Sequence, residues 1–290
     1  MKIEKASPCK VNLLLNVLGK RQDGFHELES VMHPVRIFDR VSLERAGVGI
    51  QLTGNNPRLP CDSTNLVYRA AELFLRSAGI RDGLRVHLEK HIPLAAGLGG
   101  GSGNAATTLL ALNELFSHPL ATEQVRLLAT SLGSDVPFFL QDKPALATGR
   151  GEKIEPLDFF PALKSTFFLL IHPGFGIATA WAYQQLARFP SALNGRPGRA
   201  QKLVSALQTG DLTTAGSEFY NSLEAPALQK YPLLAMFQEF LLANGGAATL
   251  MSGSGSTTFA LVANRSAAES LREKFTAKFG PTHWTALVEA

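Results

Sequence analysis

Apolar residues alternate with polar ones in some parts of this chain and recur every three to four positions in others, and the two periods divide it into strands and helices. Residues 10–17 alternate. Val11, Leu13, Leu15 and Val17 turn toward a core, while Lys10, Asn12 and Asn16 line the other face, with Leu14 between them. Short strands are predicted at 35–38, 39–44 and 49–53, and a cleaner one over 84–90. Leu66, Ala70, Leu73 and Phe74 mark one face of a helix that Asp62-Ser-Thr-Asn65 caps and Gly79 ends. Helices are predicted over 104–116, with a small-residue start at Ala105 and Ala106, and over 122–132, where Gly133 stops the chain. Pro137 steers Val136 away from helix and leaves Asp135 at a junction. Residues 145–155 read as strand, turn, strand. Composition shifts near 156–161. A continuous apolar strand follows at 166–171, then a helix carrying Trp181 and Tyr183, and a loop over 191–198 leading into a helix. Further helices are predicted at 211–223, 232–243 and 266–278, and strands at 257–263 and 283–289. The pattern is that of an α/β (α+β) chain of two domains, 1–160 and 161–290.

Between the strand at 84–90 and the helix at 104–116 lies Pro93-Leu-Ala-Ala-Gly-Leu-Gly-Gly-Gly-Ser-Gly-Asn-Ala-Ala106, with five glycines between Gly97 and Gly103. A glycine-rich turn from a strand into a helix start is an anion cradle. Glycine lets successive N–H groups point inward, and the helix N-terminus adds unpaired donors and partial positive charge. The stretch is neither a Walker A loop, since no lysine follows its glycines, nor a dinucleotide fingerprint, since Ser102 and Asn104 stand where a third glycine is needed. A flexible linker would not be framed by such a strand and helix.

Composition narrows the picture. The chain has 290 residues, 45% of them hydrophobic, and a net charge of +4, with no basic stripe interleaved with aromatics, which argues against a nucleic-acid partner. No apolar run reaches membrane-spanning length and the N-terminus has no apolar leader segment, so a cytoplasmic protein without a membrane partner is expected. Two cysteines suit a reducing compartment. His26, Glu29 and His33 fall on a turn and a strand rather than one helical face, a poor metal set.

The glycine stretch resembles the P-x-x-x-G-L-G-G-G-S-S-N-A-A loop of the GHMP kinases, which wraps the phosphates of ATP; Gly103 stands where a second serine is usual. Three further strings are similar to those of the subfamily of 4-diphosphocytidyl-2-C-methyl-D-erythritol kinases. They are Ser7-Pro-Cys-Lys-Val-Asn-Leu13, with Cys9 for the usual alanine, Asp23-Gly-Phe-His26, and Gly133-Ser-Asp-Val-Pro-Phe-Phe139. Met251-Ser-Gly-Ser-Gly255 resembles the third GHMP motif, though a simple β-turn would read the same way.

The resemblance implies an N-terminal α/β domain beside a ferredoxin-like C-terminal domain, with the active site in the cleft between. It also implies the roles that follow. Pro93, Leu94, Ala95, Ala96, Gly97, Leu98, Gly99, Gly100, Gly101, Ser102, Gly103 and Asn104 would bind ATP. Asn65 would lie near adenine, although its place equally suits a helix-start residue. Ser102 is the loop hydroxyl offered to Mg²⁺. Asn12, Phe25, His26, Ser134, Thr179 and Tyr183 would hold the cytidine substrate, with Phe25 and Tyr183 on opposite faces of the base; a half-buried helix aromatic is the plainer reading of Tyr183. Asp135 would take the proton of the attacking hydroxyl. Lys10 would stand beside it, favouring the charged carboxylate and offsetting charge on the transferred group. The implied function is ATP-dependent phosphorylation of the 2-hydroxyl of 4-diphosphocytidyl-2-C-methyl-D-erythritol in non-mevalonate isoprenoid biosynthesis, by a monomer or homodimer. A kinase of the homoserine or mevalonate type and a non-catalytic nucleotide sensor are the alternatives.

Overall fold

The computed structural model describes residues 2–290. In chain order the strands and helices are β1 (Lys2–Lys20), β2 (His26–Arg45), β3 (Ile50–Gly54), α1 (Leu66–Ser77), β4 (Leu84–Glu89), α2 (Gly100–Leu115), α3 (Thr122–Leu132), β5 (Ala145–Gly149), β6 (Lys153–Pro156) and β7 (Phe167–His172). There follow α4 (Thr179–Gln185), α5 (Pro190–Leu193), α6 (Arg199–Thr209), α7 (Leu212–Glu218), β8 (Tyr220–Asn221), α8 (Glu224–Lys230), α9 (Pro232–Ala243), β9 (Ala248–Met251), β10 (Thr258–Val262), α10 (Arg265–Phe279) and β11 (Trp284–Glu289). No helix among the described residues is long and apolar enough to cross a membrane.

Two compact units are assembled from interleaved pieces of chain. One holds the chain up to Cys9, Ile37–Ile92 and Gly99–Asp142; the other holds Lys10–Arg36, Pro93–Leu98 and Lys143–Ala290. In the first, β3 runs parallel to β4, and β4 pairs antiparallel with residues 40–45 of β2. Helices α1, α2 and α3 pack on one another. Asn65 caps α1, its side chain accepting from the Val67 N–H, and Val67, Ala70, Ala71, Phe74 and Leu75 form the buried stripe. That stripe is rotated from the predicted one, so that Leu66 and Leu73 lie only partly covered at its margin.

In the second unit β5 pairs antiparallel with residues 28–32 of β2, β6 lies on β5, and β8 runs parallel to β1 at Leu14 and Leu15. A separate antiparallel sheet has the order β11-β7-β10-β9. The last of its strands in chain order lies beside the first, and α9 and α10 bury Phe237, Leu241, Leu271 and Phe275 against Leu169, Ile171 and Val262. This is the ferredoxin-like arrangement that the resemblance implies.

Four predicted elements differ in detail. The strands at 35–38 and 39–44 are one strand, β2, because the alternation of covered and exposed positions from Val35 to Leu43 carries through the Phe38–Asp39 junction without a break. Helix α2 begins at Gly100, four residues before the predicted start, so Gly100, Gly101 and Gly103 are helical. Glycine is a poor helix former, but a Cβ on Gly103 would stand 2.5 Å from the Pro8 carbonyl oxygen and one on Gly100 3.1 Å from the Ile92 side chain. Close packing outweighs propensity there. Val136 is helical after all, with φ −65° and ψ −42°, and Pro137 opens a 3₁₀ turn through Leu140. Proline is tolerated at a first helical position, and Val136 is fully buried, which offsets the local clash. The helix expected over 211–223 is only α7, since Tyr220 and Asn221 turn into β8.

Candidate active site

Strand β1 carries the first polar cluster. Lys10 and Asn12 are both buried, as are Val11 and Leu13 on the other face, so neither side of the strand meets open water. The Lys10 ammonium donates to the Asn12 side-chain oxygen and, at 3.2 Å, to the Gly97 carbonyl. Asn12 donates through Nδ2 to Ser30 Oγ at 2.8 Å, and the Ser30 hydroxyl donates in turn to the Leu14 carbonyl.

The glycine loop is fixed through its carbonyls. The Ala96 oxygen accepts from the Thr257 N–H at 3.1 Å and the Leu98 oxygen from the Lys10 N–H at 3.0 Å. The Gly97 oxygen accepts from Ser252 Oγ at 3.0 Å as well as from Lys10. Three successive carbonyls, which would repel a phosphate, are thus turned into the protein. Gly97 sits at φ +77° with the Ser252 carbonyl 2.1 Å from any added Cβ, so no other residue fits. Ala95 also has positive φ, 52°, and Gly176 leaves room for its methyl group. Pro93 and Leu94 are partly covered, and the loop ends at Gly99, a left-handed residue with φ +67° that opens α2. No side chain caps this helix and its first turn has no acidic residue. Its first donors, from Gly100 onward, are therefore available to an anion. The hydroxyl of Ser102, half-buried in the same turn, has no hydrogen-bond partner among the described residues.

Asn104 behaves differently from the rest of the loop. Its side chain is 1% exposed and is saturated by Lys90, Asp39 and Ser7. The α1 cap Asn65 is likewise committed, with its nitrogen donating to the Pro60 carbonyl at 2.7 Å. Both amides act on the protein itself. Ser134 and Asp135 lie half-buried in the turn between α3 and the 3₁₀ segment, where the Val136 N–H bonds back to the Gly133 carbonyl.

The residues expected at the base are more open. Phe25 follows the Asp23-Gly24 turn, is 51% exposed, and has the Arg150 guanidinium 4.6 Å over its ring. The His26 ring stands 5.0 Å from that of Tyr183, tilted by 30°. Burial, and next the charge of Lys20, hold the His26 pKa below its usual value, so the neutral ring offers one donor and one acceptor. Tyr183, on α4, packs partly against a core cluster with Leu15 and Ile177. Thr179 opens α4, exposed, its hydroxyl 2.9 Å from that of Ser254.

Glu29 and His33 have other work. Glu29 accepts from Asn16 and from the N–H groups of Gly198 and Ala200, seating the start of α6. His33 is buried among Phe159, Phe160 and Phe168, with Nδ1–H donating to the Pro34 carbonyl.

Sequence reasoning missed several residues. Ser252 was seen only as part of a glycine turn, yet its hydroxyl bridges the Gly97 carbonyl and the Asn12 N–H. Asn221 steadies the same turn, donating to the Met251 and Gly253 carbonyls at 2.7 Å each. Asp39 and Lys90 fall within the strands predicted at 39–44 and 84–90, where nothing in the sequence reading singled them out. The signal for Asp39 lies in the alternation itself, since it shares an inward face with Val35 and Val41.

The chain matches the model of the GHMP kinases N terminal domain over residues 65–143 and that of the GHMP kinases C terminal region over 203–281. It is 41% identical to a 4-diphosphocytidyl-2-C-methyl-D-erythritol kinase of Pelotomaculum thermopropionicum over 95% of this chain and 94% of that one. A protein of the same name from Synechococcus sp. (strain JA-3-3Ab) is 40% identical over 91% and 86%. Among solved structures, a 4-(cytidine 5'-diphospho)-2C-methyl-D-erythritol kinase superposes with a TM-score of 0.78 at 34% identity, covering 99% of this chain and 100% of the other. A homoserine kinase from Cytophaga hutchinsonii shares the fold, with a TM-score of 0.73 at 20% identity over 99% and 93%. With relatives this similar along nearly its whole length, the chain belongs to the GHMP kinases, in the group of the 4-diphosphocytidyl-2-C-methyl-D-erythritol kinases.

Proposed function

We propose that this protein transfers the γ-phosphoryl group of ATP to the 2-hydroxyl of 4-diphosphocytidyl-2-C-methyl-D-erythritol, a step of non-mevalonate isoprenoid biosynthesis. The observation that carries the reading is the convergence on the Gly97 carbonyl. There the lysine of the first motif and the serine of the third hold the glycine loop from two sides.

Phosphoryl transfer is chiefly positioning and charge stabilisation. The uncapped donors of α2 fit the triphosphate, because their carbonyl counterparts in the loop are already turned away. Ser102 offers the hydroxyl that fits Mg²⁺, an oxygen-seeking ion that would neutralise phosphate charge. Phe25, neutral His26 and Tyr183 provide ring faces and a donor–acceptor pair for a pyrimidine. Asn12 and Lys10 arrange the polar floor beside Gly97. Asp135 accepts the hydroxyl proton, and Lys10 offsets the charge that builds on the transferred group.

The test is ADP release from ATP and Mg²⁺ with the cytidine substrate, run beside homoserine and mevalonate. Wild type is expected to turn over with the cytidine substrate alone, and Asp135→Asn to lose roughly 10²–10⁴-fold in kcat, the scale of a general base. Turnover surviving in Asp135→Asn removes the base; turnover with homoserine or mevalonate instead removes the substrate assignment.

A further inference from the structure

The chain leaves β4 at Glu89 and re-enters regular structure in α2, and one buried carboxylate touches it on both sides of the glycine stretch. Asp39, on β2, is completely buried. Its Oδ1 accepts from the N–H groups of His91 at 2.8 Å and Ile92 at 2.9 Å, the last residues before Pro93. Its Oδ2 accepts from Asn104 Nδ2 at 2.9 Å, in α2 just beyond the glycines, and from the Lys90 ammonium. Lys90 closes the ring by donating to Asn104 Oδ1 at 3.0 Å, and Asn104 reaches Ser7 Oγ on β1 at 2.9 Å. The main chain of Lys90 is held from outside as well, with Asn55 accepting from its N–H and donating to its carbonyl. The ammonium lies directly beneath α2, 3.2 Å from where a Cβ on Gly100 would be.

We propose that Asp39 is a positioning residue for the nucleotide, acting as a clasp that fixes the entry and exit of the glycine stretch so that the α2 donors keep their spacing for the phosphates; this rests on the kinase reading above. An unbraced glycine-rich segment has many conformations, and ordering it on binding would weaken affinity. The clasp performs that ordering during folding. Asp39 and Lys90 cancel in net charge, so the cluster acts chiefly through geometry. Both side chains of the pair are buried.

A change that removes one charge alone would leave the other buried and unpaired, and the fold would suffer. The informative variant is therefore Asp39→Asn with Lys90→Met, which removes both charges together. Asparagine keeps one oxygen for His91 and Ile92 but offers Asn104 a donor instead of an acceptor. A second variant, Asn104→Ala, cuts the exit tie alone. Each is measured by urea midpoint, by calorimetric affinity for ADP, and by KM for ATP and for the cytidine substrate. The expected result is a rise in ADP Kd and in KM for ATP of roughly three- to tenfold, the scale of one ordinary hydrogen bond. KM for the cytidine substrate should stay within about twofold. Unchanged ADP affinity in a folded variant overturns the clasp, and so does an equal rise in both KM values, which would mean general loosening. A wild type that binds ADP without turning over would sink the kinase reading and leave the ADP comparison standing as the test of the clasp.

Discussion

The Asp39 cluster and the Phe25–His26–Tyr183 group are built on opposite principles. In the first, a carboxylate, an ammonium, an amide and a hydroxyl are buried together, and Asp39 alone accepts four hydrogen bonds. In the second, aromatic rings stand half-exposed or exposed, steadied by a guanidinium over one face or by a neighbouring ring. A polar group that must not move is saturated, since an unmet partner in the interior costs free energy. A group that must receive a ligand keeps a face open, and the protein accepts exposed apolar surface in return. That scale separates Asn104 from the Phe25–His26–Tyr183 rings, while Lys10, buried yet set beside the Gly97 carbonyl, stands between the two. Asn104 and Lys10 both adjoin the glycine stretch, but Asn104 belongs wholly to the scaffold, while Lys10 is tied to the loop carbonyl from the side of β1.

Several experiments can break this contrast or sharpen it. The largest effect is expected from Lys90→Met alone, which strands the Asp39 carboxylate in the interior. A loss of about 3–5 kcal/mol in urea unfolding is expected, and a loss under 1 kcal/mol would show that water reaches the cluster. Next in size is His33, which burial holds at a pKa of about 4. The unfolded chain takes up a proton near pH 6.5 that the folded chain refuses until about pH 4, so stability falls as pH drops through that window, by about 3 kcal/mol at its foot. The burial of Glu224 works in the other direction, raising its pKa to about 7, so that its contribution is lost as pH rises from 4.5 toward 7. Comparing urea midpoints at pH 4.5 and 7 in wild type and His33→Gln isolates the histidine; equal slopes would refute the assignment.

Smaller again is Gly103→Ser. The residue usual in the family should destabilise this protein by about 1–3 kcal/mol, because its Cβ would meet the Pro8 carbonyl at 2.5 Å. A gain in thermal midpoint would mean that β1 yields there. The smallest effect on stability belongs to the ligand side. Phe25→Ala should cost only about 0.5–1 kcal/mol, the scale of its contact with Arg150. It should also raise KM for the cytidine substrate roughly tenfold, the scale of a lost base stack. Similar losses of stability for Phe25→Ala and Lys90→Met would erase the distinction between the two regions.

Much of this could be read along the chain. The Pro93–Ala106 stretch announced its strand, turn and helix through glycine spacing, and Asn65 announced its cap, because both depend on backbone conformation, which a residue carries with it. Helix α9 was legible from end to end, since its proline, apolar body and glycine stop are all local signals. The start of α2 was misjudged because glycine argues against helix locally, and only the approach of Pro8 and Ile92 requires it. Val136 was misjudged for the same kind of reason, its burial overriding the preference imposed by the next residue.

The sequence alone determined the periodicity of the elements, the glycine cradle and the types of residue available for chemistry, since these follow from side-chain pattern and backbone freedom. The tertiary structure decided which polar residues meet. Asp39 and Asn104, or Asn12 and Ser252, are neighbours only because segments distant in the chain pack together. A hydrogen bond needs its partner within about 3 Å, and no local rule supplies a distance across the fold.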